Sequence, residues 1–356
     1  MSTIVTLGEI MLRLATPGRA RFQQVMPGSL DATFAGAEAS IAASLAYLGA
    51  DASFVSSLPR HAIADACLAD LKSLGVDVSQ VVRTDTGRLG VYFLESGANQ
   101  RPTQVIYDRE SSSVSLLSPD AYDWRGALQD ASWLVLSGIT PAISRQAADV
   151  TRRAMEEASE RETLIALDMN YRAKLWNWDP EKSSRELAIK VIRELLPEVN
   201  LFVSGVEDVA EILGKNPNEK VDGWCDDWFP VLQKQFPKLK YLALSRRSGG
   251  SASQQAYGAT LIDLPNETTW HSPHEDGEPS FYPITEVVDR LGAGDAFTAG
   301  LLFALTTDEL SDGSTALAFA TAAGCLAHSI EGDFNYSTRE EIEWLMKEGG
   351  SGRVLR

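Results

Sequence analysis

Cysteine is scarce in this chain. Its 356 residues include three, Cys67, Cys225 and Cys325, far apart, odd in number and without a C-x-x-C pair. That pattern excludes a disulfide framework and a thiolate zinc site, and it points to a reducing compartment such as the cytoplasm. Positive charge is also in short supply, with 32 lysines and arginines against 49 aspartates and glutamates, a formal net charge of −17. So acidic a chain has no broad basic face for nucleic acid or an anionic membrane. Any anionic ligand must be captured by arginines gathered in one place. No segment approaches the ~18 consecutive apolar residues of a membrane span. The opening MSTIVTLGEI has no charged stretch followed by a long apolar one, so the chain reads as soluble and untargeted. There is no Gly-Lys-Ser/Thr of a P-loop, and Phe297 stands where a dinucleotide fingerprint needs its third glycine. Repeats, heptads and low-complexity segments are missing as well.

What remains is an ordinary globular composition, 44% hydrophobic and 23% charged, enough for a large core in one α/β domain. Apolar runs at 3–7, 52–56, 133–136, 164–167, 201–203, 241–244 and 259–263 predict strands. Helical patterns at 39–48, 62–74, 144–161, 183–196, 206–213, 296–305, 314–329 and 339–347 alternate with them. This alternation predicts a mostly parallel sheet covered on both faces, with ligands outside the carboxyl ends of its strands. Stretches 12–33 and 88–109 instead alternate polar and apolar residues, as in Gly90-Val91-Tyr92-Phe93-Leu94. They predict inserted strands, a small sheet that covers the site or pairs with a second subunit. The polar segment 265–282, with His271 and His274, reads as an exposed loop.

Several clusters fall at strand ends. In Val287–Phe297, a strand end leads through Gly292-Ala293-Gly294 into a helix beginning near Asp295. Small residues let the backbone approach a ligand, and a helix start offers unpaired N–H groups to an anion. Asp295 either caps the helix or serves as a general base beside a phosphate cradle, and we favour the base. Gly36 and Ala37 precede a helix of small residues, as close packing or as a pocket wall. Asp168-Met169-Asn170-Tyr171-Arg172 follows another strand, and Arg172 brings a forked cation suited to carboxylate or phosphate. Arg109, on the inserted sheet, is a second such cation or a solvated side chain. Glu207 either favours a helix dipole or holds a water-coordinated Mg²⁺ beside phosphates. Arg246-Arg247-Ser248-Gly249-Gly250 reads as a flexible basic loop, either a hairpin turn or a polyphosphate bracket. Gly332-Asp333 is a turn signal.

The run Asp289-x-x-Gly292-Ala293-Gly294-Asp295-x-Phe297, following Phe34–Ser40, strongly resembles the PfkB/ribokinase family of sugar kinases over almost the whole chain. Gly8–Leu14, Tyr107-x-Arg109, Asp168-x-Asn170-Tyr171-Arg172 with Leu175-Trp176, and Gly332-Asp333 are most similar to its 2-keto-3-deoxygluconate kinases. The resemblance implies a single ribokinase-like domain over 1–356, a three-layer α/β/α sandwich with a mostly parallel central sheet. A β-sheet lid built from about 12–33 and 88–110, also a homodimer or higher oligomer interface, is part of the same implication. It implies ATP and Mg²⁺ as cofactors. Asp295 would be the base, with Gly292, Ala293 and Gly294 as the anion hole. Gly36, Ala37, Tyr92, Tyr107, Arg109 and Arg172 would surround an acid sugar. Arg247 and Gly250 would lie near ATP, Glu207 near the metal, and Asp333 would close the site. Three positions depart from the family: Ala35-Gly36 where it often has two glycines, Ser204-x-x-Glu207 for Asn-x-x-Glu, and Arg247-Ser248-Gly249-Gly250 for Lys-x-Gly-x-x-Gly. The expected activity is phosphorylation of a primary hydroxyl of 2-keto-3-deoxygluconate. Its rivals are a kinase for a neutral sugar such as fructose or ribose, and a sugar sensor without turnover.

Overall fold

The computed structural model describes residues 3–215, 228–275 and 277–349, so Cys225 lies outside the described residues. Its strands are β1 (Thr3–Leu7), β2 (Met11–Ala15), β3 (Asp31–Ala35), β4 (Ala52–Pro59), β5 (Val81–Thr84), β6 (Gly90–Glu95), β7 (Gln104–Asp108) and β8 (Ala131–Ser137). They continue with β9 (Leu164–Asp168), β10 (Leu201–Ser204), β11 (Tyr241–Ser248), β12 (Gln255–Asp263), β13 (Thr268–Ser272), β14 (His274–Glu275), β15 (Glu278–Pro279) and β16 (Tyr282–Ile284). A ten-stranded sheet runs β13-β12-β11-β10-β9-β8-β1-β4-β5, with β16 added to β12. From β11 to β5 every pairing is parallel, while β12 pairs antiparallel with β11, β13 and β16.

Both faces of this sheet are buried, and the strand period of two divides its residues between two cores. Val5, Leu134, Leu136, Ile165, Leu167, Phe202, Leu242 and Leu244 enter one core, beneath the helices Arg145–Glu160 and Ser184–Leu195. Their neighbours Ile4, Trp133, Val135, Ala166, Leu201, Val203 and Ala243 enter the other, beneath Ala37–Tyr47, Ala293–Leu305 and Gly313–Ala327. The expected three-layer architecture is therefore present. Among the described residues no helix is long and apolar enough to cross a membrane.

The inserted segments form a separate four-stranded sheet in the order β3-β2-β6-β7. One of its faces gathers Met11, Ala15, Ala35, Tyr92 and Leu94, with Val105, Tyr107 and Leu291 packed against them.

Two expectations fail. The segment 265–282 is no loop: β13 lies along β12, and the ring of Trp270 packs on Gly313 so closely that a Cβ there would fall 2.5 Å from it. Thr268, Thr269 and His271 make this edge strand polar enough to pass for a loop. The basic run 246–250 is not a flexible loop throughout either, because β11 continues to Ser248 and Arg246 and Arg247 pair with Gly258 and Tyr257.

The helix Ala37–Tyr47 buries a carboxylate, Glu38, in its first turn. The hydroxyls of Ser137 and Thr140 each donate to Glu38 Oε1 at 2.7 Å. Gly8 makes room for the carboxylate, since a Cβ there would sit 2.2 Å from it. Burial pushes the Glu38 carboxyl up from 4.5 to about 7, with the two hydroxyls opposing. Between those values the folded chain keeps a proton that the unfolded chain has lost. The neutral acid therefore contributes stability that is complete at low pH and fades as pH rises towards 7. Glu38→Gln cannot ionise, so its stability relative to wild type should rise by up to about 3 kcal/mol between pH 5 and 8. Urea denaturation at the two pH values measures this, and a difference that does not change with pH would disprove the buried ionisation.

Candidate active site

A cleft of about 1120 Å³ opens at the carboxyl ends of β9, β10 and β11 and is faced by the small sheet. Asp168 and Ser204 end their strands there, as ligand-binding residues of open α/β sheets do. Met11, Tyr92, Val105, Tyr107 and Arg109 reach it from the other side.

The helix Ala293–Leu305 begins at the floor of the cleft. Its cap residue, Gly292, has φ 79°, a left-handed conformation that favours glycine. A Cβ on Gly292 would also lie 2.2 Å from the Asp333 carbonyl oxygen, so glycine is required there twice over. Gly292 has no side chain with which to cap the helix, which leaves first-turn N–H groups available to an anion. Above Gly294, the first atom that a Cβ would meet is Arg247 Nη2, at 3.7 Å. Ala293, between the two glycines, is fully buried and is not among the residues lining the cleft.

Asp295, the third residue of this helix, lines the cleft yet is only 9% exposed. The Asn170 amide donates to its Oδ1 at 3.5 Å. Burial holds the Asp295 carboxyl well above the usual range; Asp168 and Asp333 push the same way and Arg172 opposes. Asp168 is itself pushed up to about 6 by burial, against the Asn170 N–H and the charge of Arg172. Thr298 Oγ1, one helical turn beyond Asp295, donates to Asp168 Oδ2 at 3.2 Å. Two carboxyl groups that hold protons tightly thus lie side by side, tied to one helix and one strand end.

Four arginines line the cleft without an ion-pair partner among the described residues: Arg172, Arg246, Arg247 and Arg290. Arg246 is lowered by burial, and Arg290 by burial and by Arg247. Arg109 differs. It is buried, ion-paired with Glu9, and lies over the Tyr107 ring at 5.6 Å. It is therefore neither a solvated surface side chain nor an unpaired cation. Tyr92 is buried and donates from its hydroxyl to Asp333 Oδ1 at 2.8 Å.

The cleft brings together Gly36, Ala37, Tyr92, Tyr107, Arg109, Arg172, Glu207, Arg247, Gly292, Gly294, Asp295 and Asp333. Gly36 fits because a Cβ there would fall 2.1 Å from the Glu9 carbonyl oxygen. Gly250 is not brought to the cleft wall; it is exposed beyond the end of β11. Arg246 of the same basic run does line the cleft, as does Arg290, which sequence reasoning missed. Arg290 stands two residues before Gly292 in the most informative motif, so a cation at that turn was there to be noticed.

Glu207 is exposed at the cleft edge, whereas its neighbours Asp208 and Glu211 are engaged by Arg185 at 2.6 and 2.5 Å. No group of three or more potential metal ligands occurs among the described residues. A cation taken up here would be held by Glu207 and by ligand oxygens, a mode that suits Mg²⁺. Chemically, the cleft joins a proton acceptor, a helix start with free N–H groups, and a surplus of guanidinium charge.

Comparison with known proteins agrees with this chemistry. A family model for pfkB family carbohydrate kinases matches residues 1–227 and 259–337. The 2-dehydro-3-deoxygalactonokinase of Haloferax volcanii is 30% identical over 98% of both chains. The 2-dehydro-3-deoxygluconokinase of Bacillus subtilis is 26% identical over 95% of this chain and 93% of its own. The crystal structure of 2-dehydro-3-deoxygluconokinase from Thermotoga maritima superposes with a TM-score of 0.86 at 34% identity, covering 98% of this chain and 100% of that one. With the cleft, the helix start and the small sheet in place, the chain belongs to the pfkB family of carbohydrate kinases and is a sugar phosphotransferase.

Proposed function

We propose that this kinase transfers the γ-phosphoryl group of ATP to a primary hydroxyl of 2-keto-3-deoxygluconate, with Asp295 as the base. The observation that carries the reading is Asp295 itself, a buried carboxylate of high proton affinity at the start of a helix with free N–H groups. As the hydroxyl oxygen attacks the γ-phosphorus, its proton passes to the Asp295 carboxylate and the bond to the β-phosphate oxygen breaks, releasing ADP. The N–H groups of Ala293, Gly294 and Asp295 stabilise charge on the transferring group, and Arg247 and Arg290 lie along the polyphosphate. Glu207 would hold a Mg²⁺ ion, whose chemistry there would be to neutralise charge on phosphate oxygens.

Arg172 supports the acid-sugar assignment. It is an unpaired guanidinium beside Asp295, and a substrate carboxylate would supply its partner. Arg109, already neutralised by Glu9, orients hydroxyl or keto oxygens with Tyr107. The small sheet acts as a lid that excludes water. Its edge strands β3 and β7, with Ile106 exposed, offer a surface to a second copy of the chain.

A substrate panel with coupled ADP detection tests the reading, with 2-keto-3-deoxygluconate, 2-keto-3-deoxygalactonate, fructose and ribose as acceptors. The keto-deoxy acids should be preferred; preference for fructose or ribose overturns the acid-sugar assignment, and ligand-induced thermal shifts without ADP would mark a sensor. Asp295→Asn should lower kcat by about a hundredfold or more while the melting temperature barely moves. Wild-type activity should fall as the medium is acidified, with a midpoint above the ordinary carboxylate range, because protonated Asp295 cannot accept a proton. Arg172→Gln should raise KM for the keto-deoxy acid about tenfold or more, from loss of a charge-assisted hydrogen bond. An equal effect on neutral sugars would remove Arg172 from the role.

A further inference from the structure

We infer that Arg13 is the positioning residue that sets the Gly292–Asp295 turn and carries the placement of the small sheet into it. The inference rests on the phosphotransfer reading above, but Arg13 is not among the residues lining the cleft and acts only through others.

Arg13 lies on β2 and is only 3% exposed. Its fork divides between two carboxylates: Nη2 donates to Asp289 Oδ2, and Nη1 to Asp333 Oδ1 at 2.5 Å. Tyr92, its register partner on β6, donates to the same Asp333 oxygen at 2.8 Å. Two adjacent strands of the small sheet thus grip one carboxylate of the 332–333 turn. Asp289 passes the contact on. Its Oδ1 accepts from the N–H groups of Arg290 at 2.7 Å and Leu291 at 3.1 Å, and its Oδ2 accepts from Gly332 N–H at 3.2 Å. The ring closes where Gly292 presses on the Asp333 carbonyl, with no space for a Cβ between them.

Three segments distant in sequence are therefore joined at a single guanidinium. Only arginine has a planar fork able to hold two carboxylates at once; a lysine ammonium is a point charge and must leave one of them. Without the fork, two buried carboxylates repel each other and the turn loses its tie to the small sheet. Phosphoryl transfer depends on placement of a few ångströms, so a slack turn should favour attack by water over attack by the sugar.

The experiment compares wild type with Arg13→Lys, which keeps a charge in the buried site, and Arg13→Met. For whichever sugar the wild type phosphorylates best, Arg13→Lys should lower kcat about tenfold. The ratio of sugar-independent ATP hydrolysis to transfer should rise about threefold or more. Hydrogen exchange should quicken in peptides spanning 289–296 and 331–335 while β8 and β9 keep wild-type exchange. A folded Arg13→Lys with wild-type ratio and wild-type exchange in those peptides overturns the inference. So does faster exchange throughout the chain with the ratio unchanged, which reduces Arg13 to a stability role. If the wild type phosphorylates no sugar, the phosphotransfer reading fails, and the exchange comparison still decides whether Arg13 sets the turn.

Discussion

Guanidinium charge without a carboxylate partner among the described residues, in a chain with 49 acidic residues, is the feature around which the cleft is organised. Acidic groups are plentiful enough to engage most arginines, and at the surface they do: Arg152, Arg153, Arg161, Arg185 and Arg339 each reach carboxylates. Within the cleft four arginines have none among the described residues, and two of them are lowered by burial instead of being raised by a partner. Placing a cation in a partly dry site without compensation costs stability, which a bound polyanion returns. The cleft is thus most stable when filled with negative charge, despite the repulsive field of the chain as a whole.

The same wall holds the carboxylates. Asp168 and Asp333 are close enough to raise Asp295, and what keeps the three together is backbone geometry. Gly292 turns left-handed against the Asp333 carbonyl, and Thr298 and Asn170 bridge from the helix and β9 to the remaining two acids. An aspartate that merely capped its helix would be solvated and of ordinary acidity. Here the capping position belongs to Gly292, and Asp295 lies three residues further on with its carboxyl in the cleft. Geometry therefore removes the capping reading at this residue and leaves the base as the proposal.

Much of the fold was legible because apolar runs of four to eight residues between turn signals have few other uses. Each predicted core strand appears, extended by a residue or more where polar side chains continue the ladder, as at Arg246–Ser248. The failures have the same physical root. β13 carries Thr268, Thr269 and His271 on a half-buried edge, and the sequence signal for strands is burial, which edges lack. At the site, Gly292 and Asp295 were legible because few residue types suit a left-handed cap followed by a carboxylate facing a cleft. Arg290 was not, because an arginine's place depends on whether an acid lies within reach, and that is decided by residues far away in sequence. Gly250 erred the other way: a glycine signals conformational freedom, and here that freedom serves a turn outside the cleft.

Arg109 and Arg172 show why the pairing matters as much as the residue type. Both are arginines facing one cleft, yet Glu9 cancels the charge of the first while the second acts uncancelled on Asp168 and Asp295. A neutralised guanidinium still presents N–H groups in a fixed plane, held by Glu9 and by the Tyr107 ring, and so reads the direction of an oxygen. An uncancelled one reads charge. Under the proposed function, a ligand meeting both would present an anionic group at the Arg172 side and uncharged oxygens at the Arg109 side, as an acid sugar does. For a neutral sugar the Arg109 side alone would suffice, and the exposed Arg172 would have no part in selection. On that reading the two arginines would divide the recognition of one molecule between its charge and its hydroxyl pattern.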